Sequence, residues 1–142
     1  MVKMASNPWS LIAVERGKYI DEALGNNLGK TFPTADRLAD RKLISIKSID
    51  TTTKFYKNEG NLLSTIKGNI NTLANFTSAR RNVTMYDGSK QFIEVLASDY
   101  DTKVLNIAIP DIELNKGQQD AILEAMSYGA NMGIQVILTI VK

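Results

Sequence analysis

Leu62, Leu63, Ile66, Ile70, Leu73 and Ala74 fall on one stripe at helical spacing, which predicts an amphipathic helix over residues 61–76. An earlier helix is predicted behind Asn7 and Pro8, a capping residue and a first-turn proline. There Trp9, Ile12, Ala13, Ile20, Ala23 and Leu24 recur at roughly helical spacing until Gly25 stops the pattern. Gly17 inside it costs about 1 kcal/mol against alanine, tolerable where another backbone or a ligand comes close. Phe32–Asp36 reads as a short edge segment, because Pro33 cannot sit in a central strand. Arg37–Arg41 then reads as a tight connection and Lys42–Ser48 as a strand, a hairpin that brings Asp36 near Lys47. Asp87-Gly88 marks a turn after Val83–Tyr86, while Phe92–Leu96 suits helix or strand. Val104–Ile109 predicts a buried strand stopped by Pro110. Asn115 with Gln118 forms a capping box for a helix whose apolar face is Ile122, Ala125 and Met126. Ile134–Val141 is apolar and β-branched, the pattern of a central parallel strand. Strand, helix, strand is a crossover unit, so the predicted fold is α/β: a single domain, residues 1–142, with a mixed central β-sheet flanked by helices. Residues 1–6 read as an added or disordered lead ahead of the domain proper.

Composition narrows the chemistry. With 142 residues and 44% hydrophobic side chains, the chain suits one domain with a real core. No apolar run approaches the about 20 residues of a spanning helix, and the first residues lack a signal-peptide pattern. The absence of cysteine excludes disulfides and thiolate metal sites. The absence of histidine excludes serine triads, imidazole bases and histidine-ligated zinc clusters. A metal must be held by carboxylates, carbonyls, hydroxyls and water, which suits magnesium or manganese and leaves carboxylate-bound zinc open. The net charge of +2 is unevenly spread: residues 1–90 carry +6 and residues 91–142 carry −4. A basic half holding the site suits a polyanionic substrate.

The candidate chemistry centres on Ser45-Ile46-Lys47. Alternation along a strand puts Ser45 and Lys47 on one face, and Asp36 can reach that spot from the neighbouring segment. A carboxylate, a hydroxyl and an ammonium together form a minimal set for metal-assisted phosphodiester cleavage. Lys47 among isoleucines is equally readable as a structural ion pair, and Asp36 as a turn aspartate. The first helix offers Asp21 beside its buried stripe, with Glu15 and Glu22 as alternative acids. Thr51, Thr53 and Lys54 after the lysine strand are weaker candidates for phosphate contacts, against a plain polar loop. Arg80-Arg81 reads as an exposed basic pair.

Arg16–Gly25, Asn27-Leu28, Phe32–Asp36, Ser45–Asp50 and the tail from Leu105 onward resemble the C-terminal nuclease toxin domains of CdiA proteins of contact-dependent growth inhibition systems. The resemblance implies a restriction-endonuclease-like PD-(D/E)xK fold and metal-dependent cleavage of nucleic acid. It implies Asp36 and Asp21 as metal ligands, Lys47 as the catalytic lysine, and Ser45 in place of the usual acid of the (D/E)xK motif. An aspartate at the helix position, one methylene shorter than the usual glutamate, leaves room for Glu15 or Glu22 there. The implied cofactor is a divalent ion: zinc, magnesium or manganese. The domain is expected to belong to a secreted or cell-surface protein, to act in the cytoplasm of the target bacterium, and to be blocked by a cognate immunity protein. That protein is expected to cover the cleft or to add a strand to an exposed hairpin within residues 80–97, with Arg81 and Tyr86 as contacts. DNA is the expected substrate. The alternatives are a tRNA-cleaving toxin of the same fold and a binding module without catalysis.

Overall fold

The computed structural model describes residues 7–142, so the reading of residues 1–6 falls outside the described residues. The expected α/β class is observed. Four strands form a mixed sheet in the order β1 (Arg37–Ala39), β2 (Lys42–Ser48), β5 (Thr102–Pro110), β6 (Ile134–Val141). β1 is antiparallel to β2, whereas β2, β5 and β6 run parallel. A separate two-stranded hairpin is made by β3 (Ala79–Thr84) and β4 (Lys90–Val95). The segment that read as helix or strand is therefore strand, paired antiparallel across the Asp87-Gly88 turn. There Asp87 accepts from the Ser89 amide (2.9 Å) and Gly88 has φ +88°.

Alternation along β2 and β5 divides the core into two layers. Leu43, Leu105, Ile107 and Ile109 face α3 (Glu59–Asn75) and α4 (Lys116–Asn131), burying the predicted stripe Leu62, Ile66, Ile70 and Leu73. Ile46 and Ala108 face the other way, against Ile20 of α1 (Ala13–Ala23) and Val141. The capping box is present: the Asn115 side chain accepts from the Gln118 amide (2.7 Å), and the Asn115 amide donates to Gln118 Oε1 (3.0 Å). Gln118 is itself buried and donates to the Thr51 and Tyr56 carbonyls, both at 2.9 Å. It thereby locks α4 to the segment leaving β2, which includes the short helix α2 (Lys54–Lys57).

Four expectations need correction. The first helix is two pieces, a 3-10 turn at Pro8–Ser10 and α1, separated by extended backbone at Leu11 and Ile12. The Trp9 indole N–H donates to the Val141 carbonyl (2.9 Å), which holds the turn on the sheet, while Ile12 and Ala13 are exposed. Nothing comes within 4 Å of a Cβ built on Gly17, so close approach does not explain that glycine. The edge strand begins at Arg37, after Pro33. The connection is the two residues Asp40 and Arg41, with φ +53° and +60°, as a tight primed hairpin turn requires. Finally, β6 is an edge strand and β5 takes the centre. β6 reads as central because it lies parallel to β5 with α4 against it, although Ile137 and Ile140 remain partly exposed.

Replacing Gln118 with alanine strands the Thr51 and Tyr56 carbonyls and the Asn115 amide. It is expected to lower unfolding stability by about 3 kcal/mol in a urea titration. A loss below about 0.5 kcal/mol, the size of an ordinary surface change, would contradict this role.

Candidate active site

The sheet opens where β1 parts from β2. The Asp36 amide still donates to the Ile44 carbonyl (2.9 Å), one step beyond the β1 ladder. At the next step a side chain takes over: Ile46 N–H donates to Asp36 Oδ2 at 2.7 Å. The Asp36 carboxylate thus sits at the β2 edge, fixed by the chain direction of the hairpin. Arg37 points to the α1 layer, where its guanidinium donates to the Leu24 and Gly25 carbonyls (3.5 and 3.3 Å). Asp36 therefore belongs to the opposite face, the one that carries Ser45 and Lys47. Asp36 and Lys47 thus share a face, and the Lys47 charge pulls the Asp36 carboxyl down against the larger effect of burial.

Asp21 arrives from the last turn of α1. Its backbone carbonyl accepts from the Asn26 amide (2.9 Å), which begins the loop that leads back to Asp36. Asn27 then pairs with β1 through its side chain, bonding both the N–H and the C=O of Leu38 at 2.8 Å. This loop brings the helix acid to the sheet acid. Burial, with the Asp36 charge adding to it, pushes the Asp21 carboxyl up to about 7 against the opposing pull of Lys47. Burial also raises Asp36 above the usual carboxylate value, opposed by the Ile46 N–H and by Lys47. Of the three helix acids, Asp21 is the one coupled to both Asp36 and Lys47. Glu15 and Glu22 are exposed, and Glu22 bears instead on Tyr86.

Ser45 is buried on the Lys47 face. Thr51 is also buried, and the Thr53 hydroxyl caps α2 and donates to the Asp50 carbonyl (3.1 Å). Of the three phosphate candidates, Thr53 and Lys54 are exposed. Arg81 is exposed on the hairpin.

The site has a wall that sequence reasoning did not assign to it. Tyr86, at the tip of the β3–β4 hairpin, has its phenol pushed up to about 12 by burial and by the charges of Asp21, Asp36 and Glu22. The Lys30 amide donates to the Thr84 carbonyl (2.9 Å), and its ammonium lies over the Tyr86 ring, 5.6 Å from the centroid. Gly29, at φ +87°, permits this contact: a Cβ there would lie 2.9 Å from the Val83 side chain. A lone tyrosine beside a turn gives no periodic signal of the side it faces; Gly29 before Lys30 was the only local hint of close packing.

The donor set fits an oxygen-liking dication. Two half-buried carboxylates repel each other, Asp36 keeps one oxygen outside its amide bond, and Asp21 accepts no side-chain hydrogen bond among the described residues. No group of three or more metal-ligating side chains occurs among the described residues, so further ligands would be water, backbone oxygen or substrate phosphate.

Two carboxylates and a lysine thus lie where an antiparallel edge strand parts from the parallel strands of a mixed α/β sheet. The chain belongs to the family described as CDI toxin restriction endonuclease-like domain, whose model matches residues 16–139. It is similar to a protein of Yersinia pseudotuberculosis serotype O:3 (strain YPIII) named Deoxyribonuclease CdiA, with 31% identity over 128 residues. That match covers 81% of this chain and 11% of the relative, so the chain spans about a ninth of the relative's length. A solved structure, the CdiA-CT/CdiI toxin and immunity complex from Yersinia pseudotuberculosis, matches with TM-score 0.65 and 30% identity. It covers 89% of this chain and 98% of that one.

Asp21 holds its proton more tightly in the folded chain than in the unfolded one. Its ionisation therefore costs the fold stability as pH rises from about 4 through about 7. In metal-free buffer, Asp21→Asn is expected to melt at a higher temperature than the parent at pH 8, and the gap should close by pH 4. An equal or lower melting temperature at pH 8 would show that the acids do not crowd each other.

Proposed function

We propose that this domain is a metal-dependent endonuclease toxin that hydrolyses DNA phosphodiester bonds in a target bacterium. The observation that carries the reading is the mutual electrostatic influence of Asp21, Asp36 and Lys47, with no ion pair tying down Lys47 among the described residues. A lysine left unpaired beside two acids is available to a phosphate. Asp21 and Asp36 hold the divalent ion, with magnesium and manganese favoured by the all-oxygen donors and zinc as the third candidate. When bound, the ion neutralises phosphate charge and lowers the pKa of a coordinated water. Lys47 stabilises the negative charge that grows on the phosphate oxygens. Asp36 is held in place by the Ile46 N–H, and Ser45 lies buried on the Lys47 face at the sequence position where a PD-(D/E)xK site carries an acid. DNA is favoured over tRNA by the name of the Yersinia relative.

The test is incubation of the purified domain with supercoiled plasmid and, separately, with total tRNA, in magnesium, manganese, zinc or chelator. Plasmid cleavage that needs a divalent ion and falls at least about 10³-fold in folded Lys47→Ala and Asp36→Asn variants is expected. Cleavage of tRNA alone would transfer the same site to the other substrate. Intact substrates with every ion would leave a binding module.

A cognate immunity protein is the proposed partner, in keeping with the toxin–immunity pairing named for the matching Yersinia structure. The β3–β4 hairpin suits strand addition, because its two strands pair with each other and with no strand of the main sheet. Adding that protein is expected to slow amide hydrogen exchange within residues 80–97, around Arg81 and Tyr86. Protection confined to α4 would contradict the hairpin as the contact.

A further inference from the structure

β2 ends at Ser48, directly after Lys47, and the chain then passes into the short helix α2. Ser45 and Lys47 share the face of Leu43, on which α4 packs, and Gln118 of α4 holds the Thr51 and Tyr56 carbonyls at 2.9 Å. α2 therefore stands on the Lys47 side of the sheet, at the end of the strand that carries the lysine. Its backbone is tied down further: the Asn61 side chain donates to the Phe55 carbonyl (3.0 Å) and the Asn115 side chain to the Lys57 carbonyl (3.5 Å). Tyr56 turns inward, half-buried, which leaves Lys54, Phe55 and Lys57 on the outward arc of the turn, all exposed. Phe55 is 58% exposed, and its ring meets that of Tyr56 edge to face, with centroids 5.0 Å apart. The acids that flank the turn are engaged: Asp50 accepts from the Thr52 amide (3.0 Å) and hydroxyl (2.5 Å), and a Cβ on Gly117 of α4 would strike the Glu59 carboxylate. A lone exposed phenylalanine is ordinary. This one is mounted on a fixed turn between two lysines, neither of them in an ion pair among the described residues. Such a surface matches a polyanion that also offers apolar faces.

Resting on the nuclease reading above, we propose that α2 is a DNA-positioning element: Lys54 and Lys57 bind backbone phosphates flanking the scissile one, and the Phe55 ring lies against the bases beside them. Phosphate contacts set the register of the duplex on the site, and an aromatic ring on a base demands no particular sequence. The four carbonyl bonds fix the turn before DNA arrives, so little binding energy is lost to ordering it. These side chains act away from the scissile bond. They bind ground state and transition state alike, and their effect falls on KM rather than on kcat.

Steady-state cleavage of a short DNA duplex, measured over a range of salt concentrations, tests this. The double variant Lys54→Ala/Lys57→Ala is expected to raise KM at least about tenfold near physiological salt, with kcat within about twofold of the parent. It should also lower the slope of log KM against log salt by about two. Phe55→Ala is expected to raise KM at least about fivefold at every salt concentration with the slope unchanged, and Phe55→Trp to restore it. All three side chains are exposed, so melting temperatures should stay at the parent value. Parent-like KM in the variants, or a fall in kcat with KM kept, would overturn the role of α2 while leaving the nuclease reading intact. Parent-like KM with weakened inhibition by the immunity protein would overturn it too, making α2 a protein contact. A parent domain that leaves the duplex intact would remove the DNA reading and this inference with it.

Discussion

One hydrogen bond organises this domain: the Ile46 amide donating to the Asp36 carboxylate at 2.7 Å. It replaces a backbone rung at the point where β1 ends, so it both completes the β2 edge and lets the two strands part. The parting opens the sheet between its layers. Through that opening an acid from the α1 side meets a lysine from the α3/α4 side. A backbone carbonyl in the Asp36 position would satisfy the amide equally well but would bring no charge to the opening.

The energetic cost of the site is visible in its acids. Burial and the Asp36 charge hold Asp21 near neutrality, an arrangement that opposes folding once the carboxyl ionises. The surroundings hold it in place. The Ile20 side chain adjoining Asp21 is fully buried against Ile46, Ala108 and Val141, and Trp9 is bonded to Val141 on the same layer. On the opposite layer α3 and α4 bury most of the large apolar side chains. The hairpin, tethered through Gly29 and Lys30, supplies the remaining wall. A cation placed between the carboxylates would relieve their repulsion, so the strain and the proposed function have the same origin.

Much of this was legible in the sequence because it is local. The α3 stripe, the Asn115–Gln118 box and the β-branched last strand each encode an element by spacing alone. Alternation placed Ser45 with Lys47, and the resemblance of Arg16–Gly25 and Phe32–Asp36 pointed to Asp21 and Asp36. The misreadings lie where a long-range contact overrides local pattern. Trp9 left the helix pattern because its indole meets Val141, 132 residues away. β6 looks central because apolar content cannot distinguish a strand with two neighbours from one packed beneath a helix. Thr51 looks like a polar loop residue, but Gln118 draws its carbonyl into the core. Tyr86 reads as a hairpin contact for a partner, yet the Lys30 ammonium lies over its ring and the charges of Asp21, Asp36 and Glu22 bear on its phenol.

The central claim is that Asp21 and Asp36 crowd each other at a site shaped for a dication. Carbon-13 NMR of the aspartate side-chain carboxyls, followed with pH in the absence and presence of magnesium, reads this directly. The account predicts that Asp21 titrates near pH 7 in the metal-free protein and at distinctly lower pH once magnesium is added, with Asp36 moving as well. An Asp21 midpoint near the ordinary value of 3.8, unmoved by the ion, would contradict it.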